Sequence, residues 1–282
     1  MRWKGRQTSE HIEDRRGRST GKVVGGSIGI GSIIFFIAYT LLTGEAPTQM
    51  IQQTQQQTQT QTQTQRPNDE LGTFAKVIFK DTEDVWTKIF REQLNAKYRY
   101  PTLVLYNDRT NAACGMASAA TGPFYCPADE KVYLDLNFFR ELKQRFGASG
   151  DFAMAYIIAH EVGHHIQKQL GITQQMQKQR SRISKTAYNK LSVRLELQAD
   201  YFAGVWAHEI EKMKHVLNEG DIKEAMNAAH SVGDDRLQKQ HQGYVVPDAF
   251  THGTSAQRVR WFLKGFKSGN IRDGDTFNTQ NL

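Results

Sequence analysis

The chain has 282 residues with a formal charge of +7, enough for one sizeable domain with attachments or two small domains. Its mean hydropathy of −0.59 excludes a polytopic membrane bundle, so any membrane segment is local. The charge divides unevenly: residues 1–22 carry seven Lys/Arg against three Asp/Glu, while residues 69–282 carry 28 against 25. A nucleic-acid binder concentrates its excess on one folded element, so this near-balance argues against that class of partner.

Val23–Leu42 reads VVGGSIGIGSIIFFIAYTLL, without a charge. As a helix rising about 1.5 Å per residue it matches a bilayer core of about 30 Å. Arg15, Arg16, Arg18 and Lys22 crowd its N-terminal side, and the next Lys or Arg is Arg66. The positive-inside rule then predicts a basic cytoplasmic tail over 1–22, one transmembrane helix over 23–43 and everything later outside the inner membrane. A cleavable signal peptide is the competing reading; Pro47 after Gly44-Glu45-Ala46 disfavours it. Gly21, Gly25 and Gly29 are read as ordinary glycines of a membrane helix rather than a packing face. Residues 44–68 form a linker, because Gln52–Gln65 holds only Gln and Thr and has nothing to bury.

The folded part is expected over 69–282. Glu70–Lys80 and Thr82–Ala96 read as helices, with Asp81 as an N-cap between them. Thr102–Tyr106 and Val132–Leu136 read as strands. Helices then follow over Phe138–Phe146, Phe152–Leu170, a long stretch ending near Leu217, Ile222–Gln240 and Ser255–Gly265. Strands first and helices afterwards predict an α+β domain with one small sheet and a mostly helical C-terminal part. Cys114 and Cys126 are the two cysteines, and a disulfide between them is the expected state in an oxidising compartment.

Helix Phe152–Leu170 contains His160-Glu161-Val162-Gly163-His164, an HExxH pattern. Residues four apart share a helix face, so both imidazoles reach one metal ion. Glu161, turned about 100° from His160, is placed to hold a water on that ion. Gly163 in mid-helix predicts close packing against another backbone. Catalytic zinc takes three protein ligands, and Gln167 and Leu170 stand where the HExxHxxGxxH pattern would place Gly and the third His. The later segment Leu195-Glu196-Leu197-Gln198-Ala199-Asp200 offers Glu196 as third ligand, with Asp200 on the same face to accept the other ring N–H of a ligand histidine.

HEVGHH, ELQADYFAG and CGMASAATGPFYCPADEKVYLDLNFF together resemble the bacterial family called putative neutral zinc metallopeptidase. HExxH followed by ExxxD resembles, more distantly, the gluzincins. The resemblance implies a zincin-like fold, Zn2+ on His160, His164 and Glu196, Glu161 as general base and Asp200 behind a ligand. It also implies Val132–Leu136 as the strand beside the cleft, on which a peptide lies by strand addition. For the oxyanion donor the candidates are His252, Arg258 and Tyr201, and the Thr-His…Arg pattern favours His252. The expected function is a membrane-anchored zinc metallopeptidase acting on peptide or protein substrates. The alternative is a zinc-bound, chaperone-like envelope protein that holds peptides without turnover. His165 reads as structural, and His208, His215, His230 and His241 as surface. Trp206, Trp261 and Phe262 read as core, and Arg180, Arg182 and Lys185 as a solvated face or a mobile rim of the cleft.

Overall fold

The sheet is assembled from both ends of the chain. In the computed structural model, which describes residues 1–17, 69–118, 122–139, 142 and 150–282, strand β1 (Ile12–Asp14) pairs in parallel with β2 (Thr102–Tyr106). The register sets Ile12 opposite Leu103 and Asp14 opposite Leu105. Strand β2 pairs in parallel with β6 (Lys131–Asp135), and β5 (Phe124–Cys126) runs antiparallel to β6. The order is therefore β1-β2-β6-β5. Strand β6, expected beside the cleft, is interior to this sheet, and β5 is the edge. The reason is visible in its side chains: Val132, Tyr133 and Leu134 are all buried, as a strand covered on both faces requires. Strands β3 (Arg109–Ala112) and β4 (Gly115–Ser118) form a separate antiparallel pair.

Residues 1–17 are part of this fold and not a detached tail. Trp3 is buried edge-on against Phe74 at 5.4 Å, and its Nε1–H donates to Asp151. Arg6 pairs with Asp81, His11 Nδ1 lies 2.8 Å from Glu83, and Arg16 bridges Asp14 and Asp69. The cations that read as a membrane signal are thus matched by acids distant in sequence. A charge count along the chain has no access to such pairing.

Helix α1 (Glu70–Leu94) is continuous, capped by Asp69, which accepts from the Gly72 N–H. Asp81 is no cap. It is buried within the helix and held by Arg6 and Lys214, so the expected break is absent. Helix α2 (Asp151–Gln169) carries the HExxH pattern, followed by α3 (Ile172–Gln179) and α4 (Lys185–Lys214). The helix expected over Ile222–Gln240 is two, α5 (Asp221–Ser231) and α6 (Asp234–Gln242). They part at Gly233, where a Cβ would stand 2.4 Å from the Ser255 backbone nitrogen, so the chain must turn against α7 (Ser255–Ser268). Among the described residues no helix is long and apolar enough to cross a membrane. Val23–Leu42, the early glycines and the Gln/Thr tract lie outside the described residues, as does most of Phe138–Phe146.

Trp206, Trp261 and Phe262 are core. Helices α4 and α7 meet almost backbone to backbone: a Cβ on Gly204 would lie 2.1 Å from the Phe262 carbonyl oxygen, and one on Gly265 2.0 Å from that of Tyr201. Replacing Gly204 by Ala should therefore cost about 1–3 kcal/mol or more by overpacking, read from denaturant unfolding. Cys114 and Cys126 form a disulfide with Cα atoms 5.8 Å apart, tying the β3–β4 turn to the end of β5. The same unfolding experiment in reductant should show a loss of about 2–4 kcal/mol.

Candidate metal centre and active site

Helix α2 presents His160 and His164 on one face, with ring centroids 4.9 Å apart. Helix α4 crosses that face at close range. A Cβ on Gly163 would stand 3.0 Å from the Ala199 carbonyl oxygen and 3.1 Å from its Cα. This close approach brings Glu196, nearly one turn before Ala199, over the two rings. Its Oε2 lies 3.2 Å from His160 Nε2 and 3.5 Å from His164 Nε2.

One ligand atom from each of the three residues lies within 4.8 Å of the others. The donor set fits a divalent zinc ion: two imidazole nitrogens, one carboxylate, and a fourth position left for water. Glu196 Oε1 is buried without a hydrogen-bond partner, as expected of an oxygen facing a metal position.

Each ring is held from behind. His160 Nδ1 lies 2.8 Å from Asp200 Oδ1, which leaves Nε2 turned toward Glu196. Asp200 is fully buried and also accepts from Tyr156 Oη at 2.5 Å and from Arg258 Nε at 2.9 Å and Nη2 at 3.0 Å. Burial opposes its charge, but Arg258 and then His160 outweigh that and pull its pKa down to about 2. Burial likewise disfavours a charged ring at His160, yet Asp200 and Glu196 raise its pKa to about 9, so a metal must displace a proton there. Burial opposes charge at Glu196 too, but His164 and His252 hold it well below the usual carboxylate range. His164 Nδ1 lies 2.8 Å from Gln167 Oε1, and Gln167 Nε2 donates to the Leu195 carbonyl of α4.

Glu161 is buried beside this cluster. Burial raises its pKa, against a downward pull from His160 and His164. Its Oε2 accepts the Tyr125 backbone N–H at 2.8 Å, from edge strand β5. Tyr125 was not legible in the sequence, since nothing there marks which strand is the edge. Its hydroxyl lies 2.9 Å from His165 Nδ1, and His165 Nε2 lies 2.7 Å from the Arg99 carbonyl oxygen. Burial holds His165 neutral, with its pKa lowered to about 4. His165 thus ties the edge strand to the helix.

Of the three oxyanion candidates, the structure separates two from the reacting side. Arg258 is committed to Asp200, and Tyr201 Oη donates to the Asn270 carbonyl at 2.6 Å. His252 is buried with its charge acting on Glu196. Asp234, which sequence reading missed, builds its loop: its Oδ2 accepts the backbone N–H groups of Thr251, His252 and Gly253. Its other oxygen lies 3.3 Å from His252 Nδ1. The signal was the Gly233-Asp234 pair inside an assumed continuous helix. Elsewhere His215 and His230 are exposed, but His208 is half-buried with Nδ1 2.8 Å from the Phe266 carbonyl oxygen, because α7 packs over it. Arg182 and Lys185 are exposed, and Arg180 is half-buried.

The family model described as "putative neutral zinc metallopeptidase" matches residues 1–277. The chain belongs to that family. It is 46% identical over 290 aligned residues to the uncharacterized protein YpfJ of Escherichia coli (strain K12), covering 98% of this chain and 99% of that protein. It is 40% identical over 195 residues to the uncharacterized protein Mb2605 of Mycobacterium bovis, covering 66% of this chain and 65% of that one. No solved structure matches. Membership in a zinc metallopeptidase family agrees with the donor set that α2 and α4 bring together. Removing the carboxylate behind His160, by Asp200→Ala, should weaken zinc binding about 10–100-fold in a competitive chelator titration.

Proposed function

We propose that this protein hydrolyses peptide bonds with zinc held by His160, His164 and Glu196. The observation that carries the reading is convergence: Glu161, buried next to that donor set, is hydrogen-bonded to the free edge of the sheet through Tyr125. The base, the metal ligands and a strand edge able to pair with an extended chain therefore share one place.

Zinc, when bound, would supply a Lewis acid and a water of lowered pKa. The protein's own groups do the rest. A substrate segment pairs with β5, whose main chain gives affinity with loose sequence preference. The Glu161 carboxylate takes the attacking water's proton and passes it to the leaving amine nitrogen. His252, oriented by Asp234, donates to the oxygen that gains negative charge. Asp200, Tyr156 and Arg258 hold His160 in one orientation throughout. Attachment to the bacterial inner membrane belongs to the same proposal and rests on the apolar run 23–42. A peptide-holding protein without turnover would use the same edge but would not need Glu161.

The test uses the full chain, because β1 belongs to the sheet and a fragment beginning at Asp69 would lack it. Cleavage of an unbiased peptide library is expected from the zinc-loaded protein. Glu161→Gln should lower it by about 10²–10⁴-fold or more while zinc content stays unchanged. A zinc-loaded wild type without cleavage would favour the holding protein. His252→Ala should lower kcat by about 10²–10³-fold with little change in KM, the mark of an interaction made only in the transition state.

A further inference from the structure

Arg16 Nη1 donates to Asp69 Oδ1 at 2.8 Å, although 53 positions separate the two residues in sequence. The chain therefore leaves the folded body after Gly17 and re-enters it at Asp69 beside the point of departure. We infer that residues 1–17 and the peptidase domain lie on the same side of the membrane, so that residues 23–42 meet the bilayer from one face instead of crossing it.

A single crossing between Arg16 and Asp69 would part them by a hydrocarbon layer of about 30 Å. The observations oppose such a separation. It would strip the β1 ladder from β2, leaving a row of unpaired backbone groups on a strand whose residues 103–106 are fully buried. It would uncover Trp3 and Phe74. It would also remove Arg6 from Asp81, a carboxylate only 1% exposed inside α1, and His11 from Glu83. A second crossing that restored the ends to one side is no better. It would have to use residues 43–68, where Gln52–Gln65 holds only Gln and Thr, and a run of polar amides is a costly span. What remains is an apolar run of twenty residues tethered at both ends to one face of the domain, which suits attachment to a bilayer from that side. The orientation expected from the positive-inside rule, tail inside and domain outside, is the arrangement this excludes. The argument uses neither the metal nor the peptidase reading.

The experiment labels single added cysteines in spheroplasts expressing the full chain, with a membrane-impermeant maleimide before and after lysis. Lys4→Cys reports the N-terminal segment, since that side chain is 76% exposed, and Lys267→Cys reports α7, where the residue is also exposed. The parent protein serves as blank because Cys114 and Cys126 are disulfide-bonded. Both positions should be labelled together, either before lysis or only after it. A zero-length carbodiimide applied to membranes holding the wild type should also join Lys4 to Glu70 within one chain, by loss of water between an amine and a carboxylate 2.7 Å apart. Labelling of the two positions on opposite sides, or absence of the Lys4–Glu70 link, overturns the inference.

Discussion

Two helices that cross too closely for a side chain between them set the geometry on which the site depends. At Gly163 the backbone of α2 lies against that of Ala199 on α4, with no room for a methyl group without movement. The distance between the two His rings and the Glu196 carboxylate follows from that approach, and so does the reach of Asp200 to His160. Widening the crossing would move all of these at once. The second close crossing, Gly204 against Phe262 and Gly265 against Tyr201, then brings α7 and with it Arg258 onto Asp200. Three helices are thus locked in series by small residues, and the charged groups lie where the backbones permit.

That rigidity suits the electrostatics. Asp200 is a fully buried carboxylate with a guanidinium, a phenol and an imidazole as partners. Such a group is costly unless every partner is in place, and removing one leaves an uncompensated charge. The network therefore commits the interior to one arrangement and presents His160 in one tautomer. On the other side of the site the constraint is lighter. Edge strand β5 is held by pairing with β6, by the disulfide at its end and by the Tyr125–His165 contact. Its Tyr125 N–H contributes the bond that orients Glu161. The rigid half holds the metal ligands, and the half that would receive a peptide is a strand edge.

The N-terminal segment changes how the domain itself is delimited. With β1 on the outer side of β2 and Trp3 against Phe74, the sheet and the first helix are completed by residues that precede the apolar run. The peptidase domain is discontinuous in sequence, and its boundary at Asp69 is only one of two.

What sequence alone determined was local. His160, Glu161 and His164 are readable because a helix of period 3.6 brings residues four apart onto one face, whatever the rest of the chain does. The Glu196–Asp200 pair follows the same rule. Thr102–Tyr106 and the greater part of Val132–Leu136 announce themselves as short apolar runs bounded by turns, and Gly163 as a residue a helix would not choose unless something lay against it. Tertiary structure decided what depends on partners far along the chain. Asp81 reads as a cap because a carboxylate inside a helix is unexpected, and only Arg6 and Lys214 make it tolerable there. The basic first residues read as a free tail because their acids lie on helices and strands beyond residue 68. Strand β5 became the edge, and Tyr125 the partner of Glu161, through the order in which four short strands packed, and strand order is set by non-local pairing. Periodicity is written residue by residue; pairing between distant charges and strand edges is settled only when the chain closes on itself.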